Sequence, residues 1–319
     1  MRRTELITRV REEVSDELRH YWTDATITRR LNFMQRSLFR KKCDAHASYG
    51  LVSYDLSVQD NAQQLEQTDR DEWTWHLPSW VYRVQTVFDR EATFTKGVIP
   101  LITGDQKTGW KLSANRAVSI KGSAVARDLR LKVAKVPALM IGGIVSKDSA
   151  DPSHVFIPGV LPLVAPETEP LPIDFETGAM INAQIEITSS DATHDPRGVI
   201  ATVRKQTRQY DTTLAAYVNL LEVKPSFHAH VKATDTFDSH SEIEEVHIEL
   251  LILTTVESLF AKTNNIAGVQ TIQSRLAREW NTFINSLQPR EDDQVHQVET
   301  FEDTGFDRID PDRDLTFAT

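Results

Sequence analysis

Apolar residues recur every three or four positions at both ends of this chain and at alternate positions through much of its middle. Near the start, Ile7, Val10, Val14 and Leu18 fall on one face of a helix beginning close to Thr4, a good N-cap. Arg9, Glu12, Glu13, Asp16 and Glu17 fall mainly on the other. A second helix should begin at Thr23 or Asp24, with an acidic group opposing the positive end of its dipole. Its stripe is Ile27, Leu31, Met34 and Leu38, widened by Phe33, and the short join around Trp22 makes the two helices neighbours. Late in the chain, Ser239 or Ser241 can cap a helix carrying Ile243, Val246, Leu250, Leu253 and Phe260. The run from Leu250 to Leu253 is apolar all round, so that helix should be buried on more than one side. Asn264 or Asn265 restarts the chain into a helix with Val269, Ile272, Leu276, Trp280, Phe283 and Leu287, stopped by Pro289.

Between the ends the period changes to two. Strands are expected at Glu72–His76, Ser79–Phe88, Val118–Ile120 and Leu129–Val136, with turns at Thr103-Gly104-Asp105 and Thr108-Gly109. Six prolines between residues 148 and 175 exclude a regular element there and predict a surface linker or extended arm. Gly178–Ile187, Val199–Arg204, Ala215–Val223 and Phe227–Val231 are further candidate strands.

The fold expected is α+β. N- and C-terminal helix pairs form a helical bundle, with a large inserted β-rich portion of one or two small domains and an extended acidic C-terminal tail. The segments are a helix pair over 1–50, a β-rich domain over 51–147 and a Pro-rich linker or arm over 148–175. A second β segment covers 176–235, the late helix pair 236–288 and the acidic tail 289–319.

Charge alters this picture in two places. The net charge of −10 argues against non-specific nucleic-acid binding as the main task. Residues 1–50 nevertheless carry 11 Lys/Arg against 7 Asp/Glu, and Arg40-Lys41-Lys42 closes the second helix. That cluster fits a cationic helix C-terminus; it also fits a basic surface meeting an acidic partner or lining a DNA passage. Residues 290–319 reverse the balance, with 3 basic against 10 acidic residues. Phe301, Phe306, Ile309, Leu315 and Phe317 lie sparsely in that field, which suits either a solubilising tail or an anchor peptide whose side chains enter a partner's pockets.

Catalytic signatures do not emerge. Phosphate-binding glycine loops, zinc-protease and nucleophile-elbow motifs are missing from the sequence. His228 and His230 would share a strand face, but no spacing ties them to His240 or His247 as metal ligands. Asp191, His194 and Asp195 suit a turn. Cys43 is the single cysteine, so there is no disulfide framework, and its basic neighbours lack a paired histidine. No apolar run approaches a membrane span. The expectation is a protein without enzymatic activity, cofactor, metal or membrane anchor.

Trp22-Thr23-Asp24 followed by Leu31-Asn32-Phe33-Met34-Gln35-Arg36 resembles the start of head-to-tail adaptor (connector, head-completion) proteins of tailed bacteriophages. In that family a helix pair ends in an Asn-x-x-Gln-type segment, and an LP step precedes a hydrophobic strand; here the step is His76-Leu77-Pro78, before Val81, Val84 and Val87. The likeness extends through Gly104–Gly122 and Leu129–Pro137, covering roughly residues 1–140 and 236–290. It implies a virion structural protein at the neck, made in the host cytoplasm, forming a ring of about twelve copies between portal and tail. Its implied partners are the portal protein, on which the C-terminal tail would dock, and tail tube, nozzle or fibre-binding proteins. Genomic DNA would pass through the lumen without sequence-specific contact. The competing expectation is a tail-side or baseplate-side virion interaction protein; an enzyme with an unrecognised site is a third.

Overall fold

The computed structural model describes residues 1–287 apart from 17–20, 47, 60–64, 79, 91–97, 100, 103–107, 114–116, 124, 159–179 and 190–194. The chain divides into two compact units. The first contains Met1–Phe39 and the chain from Pro137 onward through the late helices; the second contains Arg40–Val136.

The second unit is built from two four-stranded antiparallel sheets. One has the order β1 (Leu51–Leu56), β8 (Leu129–Lys135), β4 (Val81–Asp89), β5 (Val98–Ile99). The other has the order β2 (Leu65–Asp69), β3 (Glu72–His76), β7 (Ala117–Lys121), β6 (Gly109–Ser113). Alternation explains β8: Leu129, Leu131 and Val133 are buried while Arg130 and Lys132 face solvent. In the second sheet, hydroxyls bridge neighbouring strands, Thr68 to Thr74 at 2.7 Å and Thr74 to Ser119 at 2.8 Å. Each buried hydroxyl is therefore partnered.

The first unit centres on a six-stranded antiparallel sheet. Its order is β10 (His154–Pro158), β13 (Ala216–Lys224), β12 (Ile200–Asp211), β11 (Gln184–Ser189), β14 (Thr236–Ser239), β9 (Gly142–Ile144). Val155, Ile157, Ile185, Ile187, Ala201, Val203, Leu221, Val223 and Phe237 join a single apolar core. Four α-helices are described: α1 (Arg3–Val14), α2 (Asp24–Ala45), α3 (Ile248–Lys262) and α4 (Ile266–Ser286). The last residues of α2, from Arg40, belong to the second unit. Glu5 fixes the start of α1 by accepting the Arg2 N–H at 3.0 Å. Ser15, at φ +54°, ends it in the left-handed conformation. Asn265 caps α4 by accepting from the Gly268 N–H at 2.9 Å.

This architecture overturns the expected bundle of N- and C-terminal helix pairs with an inserted β portion. The described chain holds fourteen antiparallel strands in three sheets beside four α-helices, and apart from the contact of α1 with α3 the N-terminal helices find their partners in strand and loop. α1 packs on α3 and against β14, α3 packs on α4, and α2 grips backbone outside the helices. α1 is tied to the sheet by charge: Arg3 Nε reaches Asp238 Oδ1 at 2.9 Å, and the same carboxylate accepts the Thr4 N–H and hydroxyl. The pair Arg3–Asp238 is almost wholly buried. Three local expectations also change. Ser239 ends β14 and α3 begins at Ile248 with His247 at its N-cap, so neither Ser239 nor Ser241 caps it. His154–Pro158, inside the stretch read as Pro-rich linker, is a strand paired with β13. Phe227–Val231 is a loop, so His228 and His230 share no strand face.

Candidate functional site

The Asn32 and Gln35 side chains sit one turn apart on α2, both buried. Asn32 clasps one backbone residue with both halves of its amide: Oδ1 accepts the Met140 N–H at 2.7 Å, and Nδ2 donates to the Met140 carbonyl at 3.2 Å. Gln35 Nε2 donates to the Ala138 carbonyl at 3.0 Å. Gln35 Oε1 accepts from Ser241 Oγ at 2.7 Å and the Glu242 N–H at 3.1 Å. Glu242 closes the circuit by accepting the Ala138 N–H at 2.8 Å. Residues 138–140 and 241–242 lie outside helix and strand, so without these two amides their backbone groups would need other partners. The Asn-x-x-Gln segment is a fastener between distant parts of the chain.

The second feature is the hairpin of β12 and β13. The two strands pair through Tyr210↔Tyr217 and Asp211↔Ala216. β10 accompanies β13 only as far as Val218, and β11 accompanies β12 only over Ile200–Thr202. The end of the hairpin therefore runs past its described neighbours. Asp211 shapes the turn by accepting the Thr213 and Leu214 N–H groups at 2.9 and 3.1 Å, and Lys147 Nζ meets it at 2.6 Å. Both Asp211 backbone bonds and Lys147 hold its carboxyl below the usual aspartate range, Lys147 most strongly. Tyr210 and Tyr217 pack edge to face with centroids 5.3 Å apart. They are 55 % and 50 % exposed, and Leu214 is 44 % exposed. Lower on the hairpin, Gln206 and Asn219 are buried and joined at 3.2 Å, so one face passes from apolar core through a polar layer to exposed aromatic rings.

A third surface lies at the start of α3. Glu244, Glu245 and Val246 are consecutive and exposed. His247 beneath them is buried against Phe283, centroids 5.1 Å apart. His247 Nε2 faces Ser286 Oγ at 3.3 Å and Glu244 Oε2 at 3.9 Å. Hydroxyl and carboxylate thus approach the same nitrogen, whereas a Ser–His–acid relay needs opposite nitrogens.

The basic cluster of α2 is not one surface. Lys41 is exposed, Arg40 is half-buried with its guanidinium 5.6 Å from the Tyr82 ring centroid, and Lys42 is buried with its ammonium 5.2 Å from that of Tyr49. Nearby, buried Arg83 donates to the Cys43 and His46 carbonyls, satisfying the end of α2. Burial pushes the Cys43 thiol up to about 12, against a smaller opposing pull from Arg83. His240 is paired with Glu186 at 3.1 Å. Among the described residues no group of three His, Cys, Asp or Glu side chains is placed to hold a metal ion. No described helix is long and apolar enough to cross a membrane. Phe301, Phe306, Ile309, Leu315 and Phe317, with Asp191 and His194, lie outside the described residues.

The hairpin is the feature that periodicity did not single out. Its signal was available: tyrosines at 210 and 217 flank a polar turn beginning Asp-Thr-Thr, in strands long enough to outrun a short neighbour. No family model, curated protein or solved structure matches the chain.

Proposed function

We propose that this chain is a virion structural protein that works through its interfaces, as a head-to-tail adaptor ringed between portal and tail. The observation that carries the reading is the use made of Asn32 and Gln35. Two of the residues on which the resemblance rests form a buried fastener, which gives that segment an architectural role. The exposed aromatic hairpin adds a surface of the kind that anchors protein contacts. In this reading the ring contacts the portal, the acidic segment with Phe301, Phe306, Ile309, Leu315 and Phe317 docks on it, and Lys41 is the accessible member of the basic cluster.

A second reading has its own support. The β-rich architecture, in place of the helical bundle, favours a tail-side or baseplate-side interaction protein. One experiment separates the two. The full chain, and a chain ending at Leu287, are mixed with the portal protein of the same phage and imaged by cryo-electron microscopy. Rings on the portal with the full chain support the adaptor, and their loss on truncation assigns the tail to portal docking. Absence of any portal complex across ionic strengths, with capture by tail proteins instead, selects the tail-side reading.

A further inference from the structure

We infer that the β12–β13 hairpin of one copy docks against the acidic start of α3 on the next copy. The inference deepens the ring reading by naming its subunit contact. The occupant follows from complementarity between two surfaces of the same unit. Residues 200–224 hold Arg204, Lys205, Arg208 and Lys224 against Asp211 and Glu222, with Lys205 3.4 Å from Glu222 on the neighbouring strand, in a chain whose net charge is −10. Arg204 and Lys205 are exposed on β12, and Tyr210, Leu214 and Tyr217 form the exposed end. At the start of α3, Glu244 and Glu245 are exposed, whereas Glu242 accepts the Ala138 N–H and Glu249 is paired with Arg9 and Arg275. Exposed Val246, at 61 %, supplies the apolar counterpart.

Aromatic side chains on a short hairpin are efficient anchors, because they bury much area for little lost freedom. The charges orient the approach and disfavour hairpin against hairpin, where Arg204 and Lys205 would face their like. Because the two surfaces are different patches, the contact is heterologous. Repeated from copy to copy, it closes a ring or extends a filament according to its rotation.

The test is charge reversal with exchange, read by sedimentation velocity of the full chain and by imaging on portal. R204E/K205E weakens self-association by about tenfold or more, and so does E244K/E245K. Y210S/Y217S does the same by removing the anchors. An equimolar mixture of the two charge-reversed chains regains association that neither shows alone. Circular dichroism excludes misfolding as the cause, and the regained association itself requires both chains to be folded. Self-association of each reversed chain equal to that of the native chain overturns the inference, as does a mixture that stays dissociated. Normal rings of the reversed chains on portal sink the hairpin contact and leave the adaptor reading standing. Exchange-dependent association without any portal complex does the opposite.

Discussion

Asn32 gives both halves of its amide to Met140, at a site closed to water. Removing it strands one backbone donor and one acceptor. Each buried group left unpaired costs about 1–3 kcal/mol, so Asn32→Ala should lower unfolding stability by several kcal/mol in all. Denaturant titration of the two chains measures this, and a midpoint unchanged by the substitution would show that the clasp is dispensable. Cys43 makes the opposite kind of test, since here nothing should happen. Its thiol is buried, donates to the Tyr49 carbonyl at 3.6 Å, and is pushed up to about 12 by burial. A thiol-specific reagent at about pH 8 should leave the native protein unlabelled and react once denaturant opens the fold, since only the thiolate is nucleophilic. Prompt native labelling would contradict that burial.

At the scale of elements, β1 and β8 set Asp55 directly opposite Arg130. The guanidinium holds the carboxylate at two points, 2.7 and 3.0 Å. Hydrogen bonding to Arg130, helped by its charge and that of Arg90 and opposed by partial burial, keeps Asp55 below its ordinary value of 3.8. A lowered carboxylate stabilises the fold at pH above 3.8, and that contribution is lost as pH falls through the folded value. Asp55→Asn should therefore lower stability modestly at neutral pH, where the pair contributes, and flatten the acid limb below about pH 4, the two chains converging in acid. An identical acid limb in both chains would show that the pair contributes nothing. The same scale shows what was legible from the sequence. Helix α3 announces itself through Leu250–Leu253, all four buried, and β8 through the alternation from Leu129 to Val133. On α2 the stripe is only half visible. Ile27, Leu31 and Leu38 are buried, but Phe33 is 39 % exposed, and the places beside the stripe go to Thr28, Asn32 and Gln35. Apolar periodicity cannot detect a helix that binds backbone through amides. The strand β10 was hidden for a related reason. It runs between Pro152 and Pro158 at the edge of its sheet, where a missing N–H does no harm.

For the whole molecule, local complementarity works against global charge. The bundle expected from the sequence assumed that apolar stripes at the two ends had only each other to bury against. The chain contains another solution, in which α1 reaches β14 through a buried ion pair and α2 through polar contacts fastens residues 138–140. What remains outside is a net charge of −10 with a basic, aromatic hairpin and an acidic helix start on one unit. Two copies repel through their net charge at long range and attract through these patches at short range. Salt acts on the two ranges differently, because the screening length falls from about 30 Å at 0.01 M to about 10 Å at 0.1 M and about 3 Å at 1 M. The first step removes most of the long-range repulsion while close pairs persist; the second weakens the pairs themselves. Self-association measured by sedimentation velocity should therefore rise between about 0.01 and 0.1 M salt and fall again towards 1 M. A continuous rise to 1 M would mean that the contact is purely apolar and that Arg204, Lys205, Glu244 and Glu245 take no part in it. A continuous fall would mean that net charge does not oppose assembly, so the carboxylates facing the neighbour outweigh those elsewhere on the chain.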